Sequence, residues 1–201
     1  MLANLGGKSP CNVYHSALST CTHGSLPQQR SRIYVDGMSS DVDLGTFEWP
    51  PPVACKPLSA VIDQHFQKCL RSSQKTRLEN LMLADTAIKK KGLDMWSSEA
   101  IVDVDHGRAA ARYMIGMCPC ITAARGKSQA FFTEYNKLLH VDDLMRLQGA
   151  DPKVMHASGL SDGKLGHICG NAMTVSLVRR ILTKLLPAAG LVEHMADDLD
   201  K

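Results

Sequence analysis

No uncharged stretch of this chain is long enough to span a bilayer, and residues Met1 to Pro10 hold no apolar run of signal-peptide length, so a soluble chain is expected. Internal repeats are lacking. Paired cysteine spacing is lacking too: seven cysteines, an odd number without a framework pattern, point to reduced thiols and an intracellular setting, nuclear in a eukaryote. A large excess of either charge is lacking, with a net value of +3, which permits a local nucleic-acid face without demanding one. A phosphate-binding loop is excluded: Gly126-Lys127-Ser128 has the right ending, but the required glycine five positions earlier is Ile121. Cys118-Pro119-Cys120 has no second cysteine pair at metal-site spacing, and Asp103, Asp105 and His106 read as alternating acids of an exposed strand and its turn, so no metal is expected. What is present is a globular composition, 44% apolar and 21% charged, in a length of 201 residues that suits one domain or slightly more.

The chain is organised around Pro27-Gln28-Gln29-Arg30-Ser31-Arg32-Ile33-Tyr34-Val35. Ile33, Tyr34 and Val35 favour a strand, and Asp36-Gly37 would turn it. Alternation along that strand would project Gln28, Arg30 and Arg32 together. Two guanidiniums on one face suit an anion or a planar acceptor, although a solvated edge strand has the same pattern.

Upstream, Asn12 to Leu18 reads as a short strand and Thr20 to Ser25 as a loop. Downstream, Phe47-Glu48-Trp49-Pro50-Pro51-Pro52 must be extended, pinned internally by its aromatics or offered as a proline-motif ligand. Pro57 would open a helix whose apolar face is Leu58, Val61, Ile62 and Phe66. A second helix carries Leu78, Leu81, Met82 and Ile88, with Gly92 closing it; Lys75, Arg77 and Lys89 to Lys91 make it basic, either as a solvated face or as phosphate contacts. Ile101 to Asp105 reads as a strand. Val141 to Gly149 reads as a short helix with acids in its first turn. Val175, Val178, Leu182 and Leu185 share the face of a last helix, with Asn171 available as its cap and Pro187 as its stop.

Three strings resemble motifs of the cytosine-C5 DNA methyltransferases, in family order. Gln28-x-Arg30-x-Arg32 after Pro27 is similar to the eighth motif, Leu139-x-x-x-Asp143-x-x-Arg146-Leu147-Gln148-Gly149 to the ninth, and Gly170-Asn171-Ala172-Met173 to the tenth. Between them, Pro119-x-Ile121-Thr122-Ala123 resembles the end of the family's target-recognition region. The departures are Ala150-Asp151-Pro152 where Phe-Pro is usual, and Ile168 where a Gln is usual. The glycine-rich, Pro-Cys-Gln and Glu-Asn-Val motifs of the family's catalytic half do not occur; Pro10-Cys11 and Pro119-Cys120 both lack the Gln and lie outside the motif order.

The resemblance implies an α+β chain: a small mixed target-recognition lobe plus a detached C-terminal helix from an incomplete α/β Rossmann-like domain. Residues 1–38 would end the catalytic lobe, 39–166 form the recognition lobe, 167–190 return to the catalytic lobe, and 191–201 form a tail. It further implies S-adenosylmethionine as methyl donor, in a site incomplete in this chain and touched by Gly170, Asn171 and Ala172. Arg32 would lie near a flipped cytosine, with Gln28 and Arg30 bracing the catalytic loop, while Lys75, Arg77, Arg125 and Lys127 face DNA. No nucleophile is present, so the chain would be inactive unless a separately encoded N-terminal half completes it. The alternative is a non-catalytic DNA- or RNA-binding module; a tRNA substrate fits the same motifs, and a poorly folding fragment is the remaining option.

Overall fold

The computed structural model describes residues 11–39, 47–64, 70–71, 74–106, 111–123 and 130–197. In chain order the elements begin with β1 (Cys11–Ser19), α1 (Thr20–Gly24), β2 (Ser31–Ser39), a 3-10 turn (Leu58–Ala60) and α2 (Lys75–Lys89). A second 3-10 turn (Met95–Ser97) precedes β3 (Ala100–Asp103), β4 (Tyr113–Ile115), β5 (Ala130–Phe132) and β6 (Lys137–Leu138). Four helices finish the chain: α3 (Val141–Leu147), α4 (Pro152–His156), α5 (Asp162–Asn171) and α6 (Val175–Ala188). The architecture is α+β.

β1 and β2 form an antiparallel ribbon paired from Cys11↔Ser39 to Ser19↔Ser31. Asp36 and Gly37 do not turn the strand, because Tyr14 and Val13 of β1 pair with them and carry the ladder onward. The segment expected to be a loop after β1 closes instead into α1, ended by Ser25 in the left-handed conformation at φ 57°. One face of the ribbon is covered: Leu18 packs with Leu177 and Ile181 of α6, and Tyr34 and Trp49 join them. The last helix is therefore not detached. Its buried side is Leu177, Arg180 and Ile181, so Val175 and Leu182 of the anticipated apolar face point outward. Pro187 lies inside α6; the helix ends at Gly190 (φ 68°), whose N–H bonds Pro187 O while Leu191 N–H bonds Leu186 O.

The second sheet has the order β4-β3-β5-β6, antiparallel throughout. Its central strand β3 is buried on both faces. Ile101 joins the core built by α3 and α5, whereas Ala100 and Val102 join Leu81, Ala84 and Ile88 of α2. The exposed acidic face expected of this strand is thus absent: Asp103 is buried and Asp105 is taken by Arg77. α2 runs as anticipated except that Met82 is exposed, and Gly92 (φ 75°) closes it with the paired bonds Gly92 N–H to Lys89 O and Leu93 N–H to Ile88 O.

The helix expected from Pro57 is a single 3-10 turn over the described residues, although Leu58, Val61 and Ile62 are buried as foreseen; Phe66 lies outside those residues. Outside acceptors capture the backbone. Glu99 accepts the Leu58 and Ser59 N–H groups at 3.2 and 3.0 Å, and Asp143 Oδ1 accepts Asp63 N–H at 3.1 Å. Burial pushes the Glu99 carboxyl up, but the bonds from Ser59 and Leu58, with one from Glu134, prevail and hold it below its ordinary value. A group depressed in the folded state contributes stability above its unfolded pKa, and loses it as pH falls through the folded value. Glu99→Gln should therefore flatten the acid limb of the stability curve below about pH 4.5, as read by urea unfolding at stepped pH.

α3 carries a full capping box in which His140 Nδ1 accepts from the backbone of the first turn and Asp143 Oδ2 accepts His140 N–H at 2.7 Å. Asp143 is also the partner of Lys137, 2.9 Å away, and the two side chains are 1% and 0% exposed. Lys137 adds a bond to Asp63 O at 2.6 Å. Removing one member strands the other charge in the core, at a cost of about 3–5 kcal/mol. Asp143→Ala should lose that much in urea unfolding, and Lys137→Met combined with Asp143→Leu should recover most of it.

Candidate functional site

Between α1 and β2 the backbone makes two successive tight turns, Gln28 N–H to Leu26 O at 2.7 Å and Arg30 N–H to Gln28 O at 3.0 Å. Strand alternation consequently starts only at Ser31, and Gln28, Arg30 and Arg32 do not share a strand face. Gln28 is fully buried and its side-chain amide meets no partner among the described residues. The adjoining backbone is paired with the Pro119-x-Ile-Thr-Ala segment: Cys118 N–H donates to Pro27 O at 2.7 Å and Gln29 N–H to Cys118 O at 2.8 Å.

Arg30 turns inward and is 6% exposed. Its Nη1 donates to Ile121 O at 2.9 Å; its Nη2 donates to Ala172 O at 2.8 Å and Gly170 O at 3.3 Å. One guanidinium thereby joins the eighth-motif string to the Pro119-x-Ile-Thr-Ala segment and to the tenth-motif string, using the planar fork that lysine lacks. Arg32 remains at the surface, donating to Ser31 O at 2.8 Å. The two arginines do converge on one atom, Cys120 Sγ, at 3.5 Å from Arg30 and 3.6 Å from Arg32. Burial pushes the neighbouring Cys118 thiol up to about 12, with Cys120 adding to the shift, so Cys118 stays protonated and is no nucleophile.

Gly170 closes the contact from the α5 side. A Cβ there would lie 2.1 Å from Ala123 N and 2.3 Å from the Thr122 carbonyl carbon, so the helix end and the Thr122-Ala123 backbone touch directly. Ala172 offers its carbonyl to Arg30, and Asn171 is exposed, its amide 3.1 Å from His167 Nε2. Asn171 does not cap α6. Thr174 occupies that position, with its hydroxyl 2.8 Å from Thr20 Oγ1 and 3.2 Å from Gln148 Oε1. Gln148 is buried and also donates from Nε2 to Cys169 O at 2.9 Å while its carbonyl accepts Val175 N–H at 2.8 Å. The ninth-motif string thus reaches the tenth through Gln148. Its helix ends on Gly149, at φ 74°, where a side chain would meet Ser176 N and Leu26.

These contacts join strings that are separated by most of the chain. A family model of the C-5 cytosine-specific DNA methylases matches residues 7–186. The chain belongs to that family. No curated protein matched it. The family is one of cytosine-5 methylases, which implies DNA as the class of substrate, and its members generally use S-adenosylmethionine.

Of the cations expected to face DNA, Lys75 is exposed at the start of α2. Arg77 is committed elsewhere: its Nε and Nη2 bond the two oxygens of Asp105 at 2.5 and 2.8 Å, bolting α2 to the turn after β3. Asn80 reinforces that joint by donating to Val104 O and His106 O. Arg125 and Lys127 lie outside the described residues. At the other end of α2, Lys91 stacks over Tyr113, 5.0 Å from the ring centre.

Sequence reasoning missed α5 altogether, because Gly163, Gly166 and Gly170 mask the spacing of Leu165 and Cys169. It also missed Gln148 and Thr174 as joints; the only signal for Gln148 was its place in the ninth-motif string. Gly170→Ala should cost about 3 kcal/mol, the upper end for overpacking against backbone that cannot yield. Urea unfolding without any ligand measures it, and an unchanged midpoint would remove the structural reason for this glycine.

Proposed function

We propose that this chain is the C-terminal part of a DNA (cytosine-5)-methyltransferase, which transfers methyl from S-adenosylmethionine to C5 of a flipped cytosine once a separately supplied catalytic half completes it. The observation that carries this reading is the ribbon. β2 carries apolar side chains toward both faces, Tyr34 and Met38 on one beside Arg32 and Asp36, Ile33 and Val35 on the other. Its Tyr34 side packs on α6, yet Ile33 and Val35 on the other side are 71% and 57% exposed, and Val13 of β1 is 47% exposed beside them. The outward Val175 and Leu182 of α6 offer further apolar surface. A two-stranded ribbon is marginal alone and belongs in a larger sheet.

On this reading residues 1–38 and 167–190 are the remnant of the catalytic lobe, 39–166 the recognition lobe and 191–201 a tail. Arg32, exposed beside Cys120, lies near the flipped cytosine. Gln28, buried with an unanswered amide, would meet the catalytic loop of the completing half. The residue here that suits the methyl donor is Asn171, whose amide is exposed; Gly170 supports it from behind, because Ala123 fills the space over its Cα. S-adenosylmethionine supplies an electrophilic methyl group; the nucleophile must come from the other half. Lys75 reaches phosphate, and Arg125 and Lys127, which lie outside the described residues, are the further cations of the DNA contact. DNA as the substrate goes with an intracellular setting, nuclear in a eukaryote.

The test is transfer of tritiated methyl from S-adenosylmethionine to duplex DNA. The purified chain alone should bind duplex in a filter assay, with a salt slope reduced by about one in Lys75→Ala, and should transfer nothing. Mixed with a catalytic half bearing the glycine-rich and Pro-Cys-Gln motifs it should become active, and Ile33→Asp should abolish that gain without altering DNA binding by the chain. Transfer by the chain alone would overturn the reading; duplex binding that never gains activity would replace it with a non-catalytic module.

A further inference from the structure

An open cavity of about 370 Å³ lies where the exit of α1, the segment after the prolines and the turn that follows α3 meet. That volume is at the small end of the range for ligand pockets. Leu26 and Val61 form its apolar floor and belong to the main core; Ala150 packs on that core from the side, and Pro152 completes the wall. Backbone constraints hold these walls in place. Gly149 sits at φ 74° without a side chain, and a Cβ there would lie 3.3 Å from Leu26 Cδ1, so the turn rests on Leu26. On the opposite side Lys56 N–H bonds Ser25 O at 3.3 Å, and Val61 N–H bonds Leu58 O at 3.0 Å.

The charged residues on the cavity are Lys56, Arg146 and Asp151. Two of them are already answered. Arg146 Nη2 is 3.2 Å from Asp63 Oδ2 and its Nη1 is 3.5 Å from Asp143 Oδ1, while Asp151 Oδ1 accepts Lys153 N–H at 2.9 Å as the cap of α4. Lys56 is exposed at the rim, and among the described residues no acid reaches its ammonium. The site therefore offers apolar walls and one unanswered cation. We propose that this cavity binds a small organic carboxylate with a flat apolar body of one or two rings. The carboxylate pairs with Lys56, and the body lies against Leu26, Val61 and Ala150. A phosphate would bring a second negative charge toward Asp151 with no second free cation to meet it, and a neutral apolar molecule would leave the ammonium unused. The bound ligand also braces the start of α6, because Gln148, next to Gly149 in this turn, accepts Val175 N–H at 2.8 Å. This inference is independent of the methyltransferase reading, since it uses neither the Arg30 fork nor Asn171.

The experiment titrates the full chain with naphthoate in a calorimeter and follows its melting temperature at the same ligand concentrations. The expected result is saturable binding at one site, weakened by added salt, with a melting temperature that climbs as ligand is added. Naphthalenemethanol, which has the same rings and no charge, should bind more weakly. Lys56→Met should weaken naphthoate about fivefold, the upper end for an exposed ion pair, and should leave the neutral analogue unchanged. Ala150→Phe, which fills the cavity, should bind neither compound, whereas Lys164→Met, on α5, should bind both as the wild type does. No naphthoate binding at millimolar concentration, equal binding of the two compounds, or an unchanged affinity in Lys56→Met would overturn the proposal. Lys56 holds its neighbours through its backbone alone, so its variant and the neutral analogue decide the matter even if Ala150→Phe fails to fold.

Discussion

The buried guanidinium of Arg30 holds three distant backbone segments to one point. Ile121, Gly170 and Ala172 each present a carbonyl that has no helix or strand partner to satisfy it there, and a single planar cation answers all three. The cation is itself costly to bury, so each carbonyl is as necessary to the arginine as the arginine is to the carbonyls. The contact of Gly170 with the Thr122-Ala123 backbone, the pairing of Cys118 with Pro27 and Gln29, and the Gln148–Thr174–Thr20 chain of polar groups all lie close around this fork. Arg32, by contrast, stays at the surface, because Arg30 has taken the structural duty.

The molecule has two parts with different needs. In the lobe around β3, the sheet is covered on both faces and its buried charges are answered, Lys137 by Asp143 and Arg77 by Asp105. In the ribbon, only one face is covered and the apolar side chains of the other meet water. Helix α6 grips the ribbon with Leu177 and Ile181, its Val175 N–H bonds Gln148 O after α3, and Arg180 holds Pro51 O and Asp197. Burying an arginine there makes the helix orientation specific, since a purely aliphatic stripe would leave its rotation open.

Much of this was legible in the sequence where local rules decide. The β-branched run at Ile33 to Val35, the acids opening α3 and the glycines ending α2 and α3 carried their elements. Where distant partners compete, local rules failed. The turn that opens at Pro57 has its first N–H groups capped by Glu99, a partner that no window around Pro57 contains. The rotation of α6 was misjudged because Val175, Val178, Leu182 and Leu185 form as good a stripe as Leu177 and Ile181, and only the ribbon chooses between them. At the site, the motif strings identified Arg30 and Gly170 but not what each does: the first faces inward to carbonyls, the second is a clearance between two backbones, and neither fact is written in residue type. The pairing of Arg77 with Asp105 was hidden because the two were read as members of separate surfaces.

The unfinished ribbon also sets a clock on the chain. Strands with apolar faces and unpaired edges associate with whatever edge they meet, including another copy of themselves. The uncovered face formed by Val13, Ile33 and Val35 is present from the moment the ribbon folds, and self-association through it grows with the square of concentration. Diluting the chain therefore protects it out of proportion, because halving its concentration cuts the rate of pairwise encounter fourfold.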